Sequence, residues 1–472
     1  MVQPRGDYKL SAAKNNRNYN IIKVRDDNQP VEFVQEIVDG NPQFKIKGER
    51  TASWCSDGTF SSLDLRSRIE PWLTSLFQSE HLSLLVGSGL TTAIQLASCG
   101  SSDNGMGKFE LKSKYAEKIK VYAAVSASAA NRGENPNFED YIRVMCELLR
   151  GLEILGEDDD AAELMGEIVN TINDFTKNIS VIENQIATAS EPQRTDAFNK
   201  LVLFLMSFAS RTGTRDRLNI FTTNYDRLIE AGADIAGIRL LDRFVGALSP
   251  VFRSSRLDVD MHYNPPGIRG EPRYLEGVVH FTKLHGSIDW INTDSSIKKI
   301  GLPFGAQDIH PYLDAPGLNA DSSKIMIYPN SSKDRETAEY PYVELFRDFA
   351  AALCRPNSTL VTYGYSFGDE HINRVIKDML TIPSTHLIVI AYGDSMGRIM
   401  RSYYEWGRAN QISLIIGADV ANIDSLVNYY LPKPAIDRAT IRMAELLRQR
   451  YEQPKALKKE EGEVSADDNT FV

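Results

Sequence analysis

The chain has 472 residues, 42% of them hydrophobic, which suffices for a large core and for about two to three domains. Its net charge of −10 argues against broad binding to a nucleic-acid backbone, which needs a basic face, and no run reaches the roughly 18 uninterrupted apolar residues of a membrane helix. The four cysteines, Cys55, Cys99, Cys146 and Cys354, form no CxxC half-site, so free thiols are expected rather than a zinc ribbon. The opening stretch "MVQPRGDYKLSAAKNNRNYN" lacks the apolar core of a signal peptide, and a soluble, cytoplasmic protein is expected.

In chain order, residues 20–48 mix β-branched residues with turn formers and predict a small N-terminal β-rich arm. "SSLDLRSRIEPWLTSLFQ" predicts a helix with Ser62 or Asp64 near its start. "HLSLLVGSGLT" (81–91) is a short apolar strand ending in a glycine turn, and 98–108 is a loop. Residues 137–212 carry apolar residues at helical spacing, interrupted by the acidic "GEDDDAAELMGEIVNTINDF", which reads as a solvated face. "LNIFTTNYD" (218–226) is a strand and polar turn leading to the helix "RLIEAGAD", and 242–277 is a long irregular stretch. "VVHFTKLHGS" (278–287), "KIMIYPN" (324–330), "STLVTYGYSFGD" (358–369), "THLIVIAYGDS" (385–395) and "QISLIIGAD" (411–419) repeat the strand-then-turn pattern. The helix "DEHINRVIKDML" follows the third of these. The tail is charged and poor in aromatics, the composition of a disordered segment.

Apolar strands ending in polar turns, with helices between, predict an α/β fold: a Rossmann-like parallel sheet with an inserted α-helical subdomain over about 100–215. Ligands of such sheets bind at the carboxyl ends of the strands, so the polar turns become the candidate site. Gly87 and Gly89 flank the small Ser88 and leave backbone N–H groups open to a phosphate, although a tight βα turn with no ligand has the same pattern. "NGMGKFE" resembles a phosphate loop but has Phe109 where magnesium would need Ser or Thr, and no strand precedes it. Asn224 can orient a water or a ribose hydroxyl, while Asp226 can anchor ribose or cap the next helix. Gly364 permits close approach and Ser366 can donate to phosphate or ribose. His285 shares the predicted edge with these turns, and an imidazole can accept a ribose hydroxyl proton near neutral pH. No metal cluster accompanies the set.

The order "VGSGLT", "TTNYD", "KLHGSIDW", "YGYSFGD" resembles the sirtuin-like fold, specifically its zinc-free bacterial branch, over residues 81–400. "NFEDYIRVM" (137–145) resembles the helix that opens the insertion of that branch, while 1–80 stands as an N-terminal extension and 401–472 as a C-terminal strand, helix and tail. The resemblance implies NAD as substrate, with Gly87, Ser88 and Gly89 at the pyrophosphate, Asn224 and Asp226 at the nicotinamide ribose, His285 acting on that ribose, and Gly364 and Ser366 at phosphate and ribose. It further implies an NAD glycohydrolase of antiphage defence, homo-oligomers, and a HerA-type hexameric ATPase as partner. "AIQLASCGSSDNG" lacks the arginine segment that protein deacylases carry after the first glycine turn, and no four-cysteine zinc module can be built. An NAD-dependent deacylase and a non-catalytic NAD or ADP-ribose sensor are the rival expectations. A gate on activity is expected, for which the N-terminal arm or a C-terminal helix with Ile436, Ala439, Met443 and Leu447 on one face could serve, although that stripe reads first as packing on the body.

Overall fold

A computed structural model describes residues 19–433, apart from 39–40, 48–51, 56, 103–110, 130–135, 210–215, 254–259, 264–272, 294–295, 315–317, 319, 321–323, 326–339 and 395. The expected C-terminal helix therefore lies outside the described residues, as do the "NGMGK" loop and most of "KIMIYPN". Within the latter, Ile325 makes an isolated bridge to Ile291 rather than a strand of the main sheet.

The strands are, in chain order, β1 (Asn20–Lys23), β2 (Val31–Val38), β3 (Asn41–Ile46), β4 (Thr59–Phe60), β5 (His81–Val86) and β6 (Asn219–Thr222). There follow β7 (Arg239–Leu241), β8 (Phe244–Val245), β9 (Val251–Phe252), β10 (His262–Tyr263), β11 (Arg273–Tyr274) and β12 (Val278–Lys283). The last are β13 (Trp290–Asn292), β14 (Ile297–Lys299), β15 (Ser358–Tyr363), β16 (His386–Ala391) and β17 (Ile412–Ile416). The helices are α1 (Ser62–Phe77), α2 (Gly89–Cys99), α3 (Ala116–Ala129), α4 (Phe138–Leu155) and α5 (Asp158–Ala187), then α6 (Gln193–Ala209), α7 (Leu228–Ala236), α8 (Tyr342–Leu353), α9 (Glu370–Met379) and α10 (Arg398–Glu405).

Eleven strands form one sheet in the order β4-β3-β2-β1-β17-β16-β15-β5-β6-β12-β7. From β17 to β7 every pairing is parallel. The inner strands of this group are largely buried, and β15 is buried along its whole length, its Ser358, Thr359 and Thr362 included. Alternate side chains serve opposite layers. Leu82, Leu84 and Val86 of β5 pack with α1, α2, α6 and α7, whereas Leu85 joins the layer of α8, α9 and α10.

The N-terminal strands are an extension of this same sheet. β1 runs antiparallel to β17, pairing Ile21 with Ile416, and β2 to β4 continue outward as antiparallel neighbours. The buried Lys23 locks the joint, its Nζ donating to the carbonyls of Ala409 at 2.7 Å and Ile412 at 3.0 Å. The cap of α1 is Ser61, one residue before the expected start, in a reciprocal capping box with Asp64.

α3, α4 and the first part of α5 pack in one cluster that also takes in Tyr225, Ile288 and Ile291, with Phe138 stacked on Phe175 at 3.8 Å. α6 instead covers the sheet through Leu201, Phe204, Leu205 and Phe208. The irregular 242–277 stretch supplies β8 and β9 to a small sheet with β13 and β14, and β10 and β11 to a two-stranded one. No helix among the described residues is long and apolar enough to cross a membrane.

Candidate functional site

Strands β15, β5, β6 and β12 lie side by side with Tyr363 opposite Val86, Val86 opposite Thr222, and Thr222 opposite Lys283. Their carboxyl ends are thus level, and the four turns that follow gather on one edge. The strand order also reverses here, since β5 leads on through the helices to β6 on one side while β15 returns on the other. This is where an open α/β sheet forms its ligand crevice.

The glycines answer first to one another. A Cβ on Gly87 would sit 2.4 Å from the Gly364 carbonyl oxygen, and one on Gly364 would sit 2.6 Å from the Gly89 Cα. Gly364 also has a φ of +63°, which L side chains rarely adopt. The Gly87 and Gly89 N–H groups donate to the Tyr363 and Gly364 carbonyls at 3.0 and 3.2 Å, so both are engaged by the neighbouring turn. Ser88 is the exposed residue of the triplet and opens α2, whose first turn has no acidic residue and no side-chain cap. That helix end keeps its positive dipole for an anion.

Asn224 is buried between the first two turns. Its Nδ2 donates to the Gly87 carbonyl and to Thr91 Oγ1, both at 3.1 Å. Both amide hydrogens are thereby used, and the carbonyl Oδ1 is the atom it can offer a ligand. Thr91 Oγ1 donates in turn to Asp226 Oδ2 at 2.7 Å, and Asp226 Oδ1 accepts from the Leu228 N–H at 3.1 Å. Asp226 therefore holds the first N–H of α7 and fixes the turn, one residue ahead of the Arg227 N-cap position.

Beneath the turn, the buried Lys283 holds the Asp226 carbonyl at 2.5 Å and Glu230 at 3.1 Å. Burial pushes the Glu230 carboxyl up, and Lys283 opposes this. The next residue, Arg227, forms a buried pair with Glu183 of α5, whose Oε1 also takes the Arg227 N–H at 2.7 Å. Burial pushes Glu183 upward while the guanidinium opposes it.

His285 follows β12 on the same edge. Its Nε2 lies 2.9 Å from Asp369 Oδ2, its Nδ1 lies 3.9 Å from Glu139 of α4, and the Tyr225 ring is 6.2 Å away. Asp369 also caps α9 through the N–H groups of His371 and Ile372 at 2.9 and 3.3 Å. The turn after β15 consequently presents a carboxylate rather than an open row of amides. Ser366 is exposed there, and the Arg398 guanidinium lies against Gly368 beside it. The adjacent Tyr365 hydroxyl is held far above its usual range by burial first, then by Asp369.

Sequence reasoning placed Asn224, Asp226, His285 and the glycine turns on this edge. It did not find Thr91, Asp369 as the partner of His285, or Glu139. The acidic start of "DEHINRVI" was visible as a cap, but nothing local tied it to a histidine 84 residues earlier.

Residues 218–413 match the SIR2-like domain family. This SIR2-like region covers less than half of the chain and contains Asn224, Asp226, His285, Gly364, Ser366 and Asp369, while the 87–89 turn and the insertion precede it. It supports a sirtuin-like family, and a SIR2-like domain fits NAD-dependent chemistry. A search of curated proteins finds no match. Among the described residues no group of three or more His, Cys, Asp or Glu side chains is arranged to hold a metal ion.

Proposed function

We propose that the chain is an NAD glycohydrolase that cleaves NAD to nicotinamide and ADP-ribose, and that it serves as a gated effector of bacterial antiphage defence by depleting NAD. The observation that carries this reading is the pairing of His285 with Asp369 on the edge shared with Asn224 and the Ser88 turn, within and beside the SIR2-like region. The residues suit the dinucleotide: a helix start at Ser88 with no side-chain cap for the pyrophosphate, and polar groups for the ribose.

In this reading Ser88 and the α2 N-terminus bind phosphate. Asn224 Oδ1 accepts a hydrogen from the attacking water and aims its oxygen, Asp226 and Thr91 keep that amide in place, and His285, held by Asp369, takes a hydrogen bond or proton from a ribose hydroxyl. The nicotinamide–ribose bond breaks through an oxocarbenium-like state, as in other glycosyl cleavages. Homo-oligomers and a HerA-type hexameric ATPase partner belong to the same proposal and rest on the family resemblance.

The test is nicotinamide release from NAD by the purified chain, with and without an acetyl-lysine peptide. Release without peptide, together with free ADP-ribose, is expected. Release only with peptide, with loss of its acetyl group, would make the protein a deacylase.

A further inference from the structure

The helical insertion delivers a carboxylate to the site. Glu139 stands in the first turn of α4 between two residues whose directions are fixed. Phe138 turns into the insertion core against Phe175, and the fully buried Asp140 closes a capping box with Asn137 and accepts from Ser126 at 3.0 Å. Glu139 is left to point at the sheet edge, where it takes the Tyr225 hydroxyl at 3.3 Å and stands 3.9 Å from His285 Nδ1. The imidazole thus lies between carboxylates from two elements, α4 and the cap of α9. The His285, Glu139 and Asp369 side chains keep 20%, 13% and 12% of their exposure, enough to meet a ligand from the same space. No lysine or arginine among the described residues is ion-paired with Glu139. An ionised carboxylate offers about four acceptor positions, of which the tyrosine hydroxyl uses one.

Resting on the NAD reading above, we propose that Glu139 is a substrate-contacting residue: its carboxylate accepts a hydrogen bond from a hydroxyl of the nicotinamide-side ribose and sets negative charge beside the carbon that becomes cationic. In the reaction the bond from that carbon to the pyridine nitrogen breaks with its electron pair returning to nicotinamide, water adds to the carbon, and one proton is released. Glu139 forms no covalent bond. The insertion is then part of the reaction centre, because the site lacks one carboxylate until α4 is seated.

The test compares binding of ADP-ribose and ADP, which differ by that ribose, to the full chain as wild type, Glu139→Gln and Glu139→Asp, with melting curves as the folding check. Neither probe is consumed, so gating of turnover does not enter. Wild type should bind ADP-ribose more tightly than ADP. Glu139→Gln should weaken ADP-ribose by about 10-fold or more, the scale of a hydrogen bond to a charged group, and leave ADP unchanged. Glu139→Asp, which keeps the charge at the helix start, should fall between and serves alone if the glutamine variant does not fold. Unchanged ADP-ribose binding in the variants, or equal weakening of both probes, overturns the role of Glu139 and spares the site. A wild-type chain that binds neither probe overturns the NAD reading and this proposal with it.

Discussion

His285 and Asp369, 84 residues apart in the chain, meet at 2.9 Å between Nε2 and Oδ2. The same carboxylate caps α9, so a helix start and an imidazole orientation depend on one side chain. Asp369→Asn separates the two roles. Asparagine caps as well as aspartate, so the unfolding free energy should change by less than about 1 kcal/mol. The charge beside the imidazole is lost, and nicotinamide release should fall about 10- to 100-fold. Rate measurements paired with urea unfolding would check this, and a variant with full activity would make the pairing a matter of capping alone.

The contact between the glycine turns predicts a sharp contrast within one residue type. Gly364→Ala adds a methyl group 2.6 Å from the Gly89 Cα at a φ of +63°, and should cost about 3 kcal/mol or more. Gly393→Ala meets nothing within 4 Å and should be neutral within about 0.5 kcal/mol. Denaturant midpoints of the two variants measure the difference directly.

The Arg227–Glu183 pair ties α5 to the turn that carries Asn224. Arg227→Met leaves Glu183 buried without its counter-charge and should destabilise by about 3–5 kcal/mol. Adding Glu183→Gln should recover part of that loss, since the amide is neutral and its Oε1 still accepts the backbone N–H of residue 227. A double-mutant cycle on unfolding free energies reads the coupling; equal destabilisation in the single and double variants would contradict it.

At the far end of the sheet, burial pushes the His386 imidazole down to about 4, and Lys23 adds to the effect. The ring is neutral in the fold, accepting or donating at Ser413 Oγ over 2.8 Å. Below the ordinary histidine pKa of about 6.5 the unfolded chain takes a proton that the native chain refuses. Its contribution to stability is therefore complete above that pH and is lost as pH falls toward 4, by about 3 kcal/mol at most. His386→Gln should flatten that part of the curve, measured as the wild-type minus variant unfolding free energy at pH 7 and pH 4.5. A difference independent of pH would contradict the assignment.

The parallel strands were readable because burial on both faces demands apolar runs, and the turns because a strand end must leave the sheet through polar or glycine residues. What stayed hidden lies in contacts distant along the chain. Nothing in "NIIKV" announces a partner at Ile416, so the N-terminal strands read as an arm rather than as part of the main sheet. The glycines of "VGSGLT" and "YGYSFGD" read as openings for a phosphate, and nothing local told that Gly87, Gly89 and Gly364 lie against one another while Gly368 lies against Arg398. α6 has the apolar spacing of its neighbours, and only packing shows that its apolar face lies on the sheet. Glu139 sits in a first turn where an acidic residue serves the helix dipole in any case, which masks its proximity to His285.

The proposed cleavage of NAD belongs to the edge where His285, Asn224 and the Ser88 turn converge. The most direct measurement is the rate of nicotinamide release from NAD by wild type and His285→Ala, with melting temperatures recorded for both. Release by wild type is expected, with a loss of about 100-fold or more in the variant at an unchanged melting temperature, the range lost with a positioned acid–base group. A His285→Ala chain that releases nicotinamide at the wild-type rate would contradict it and put the chemistry elsewhere in the molecule.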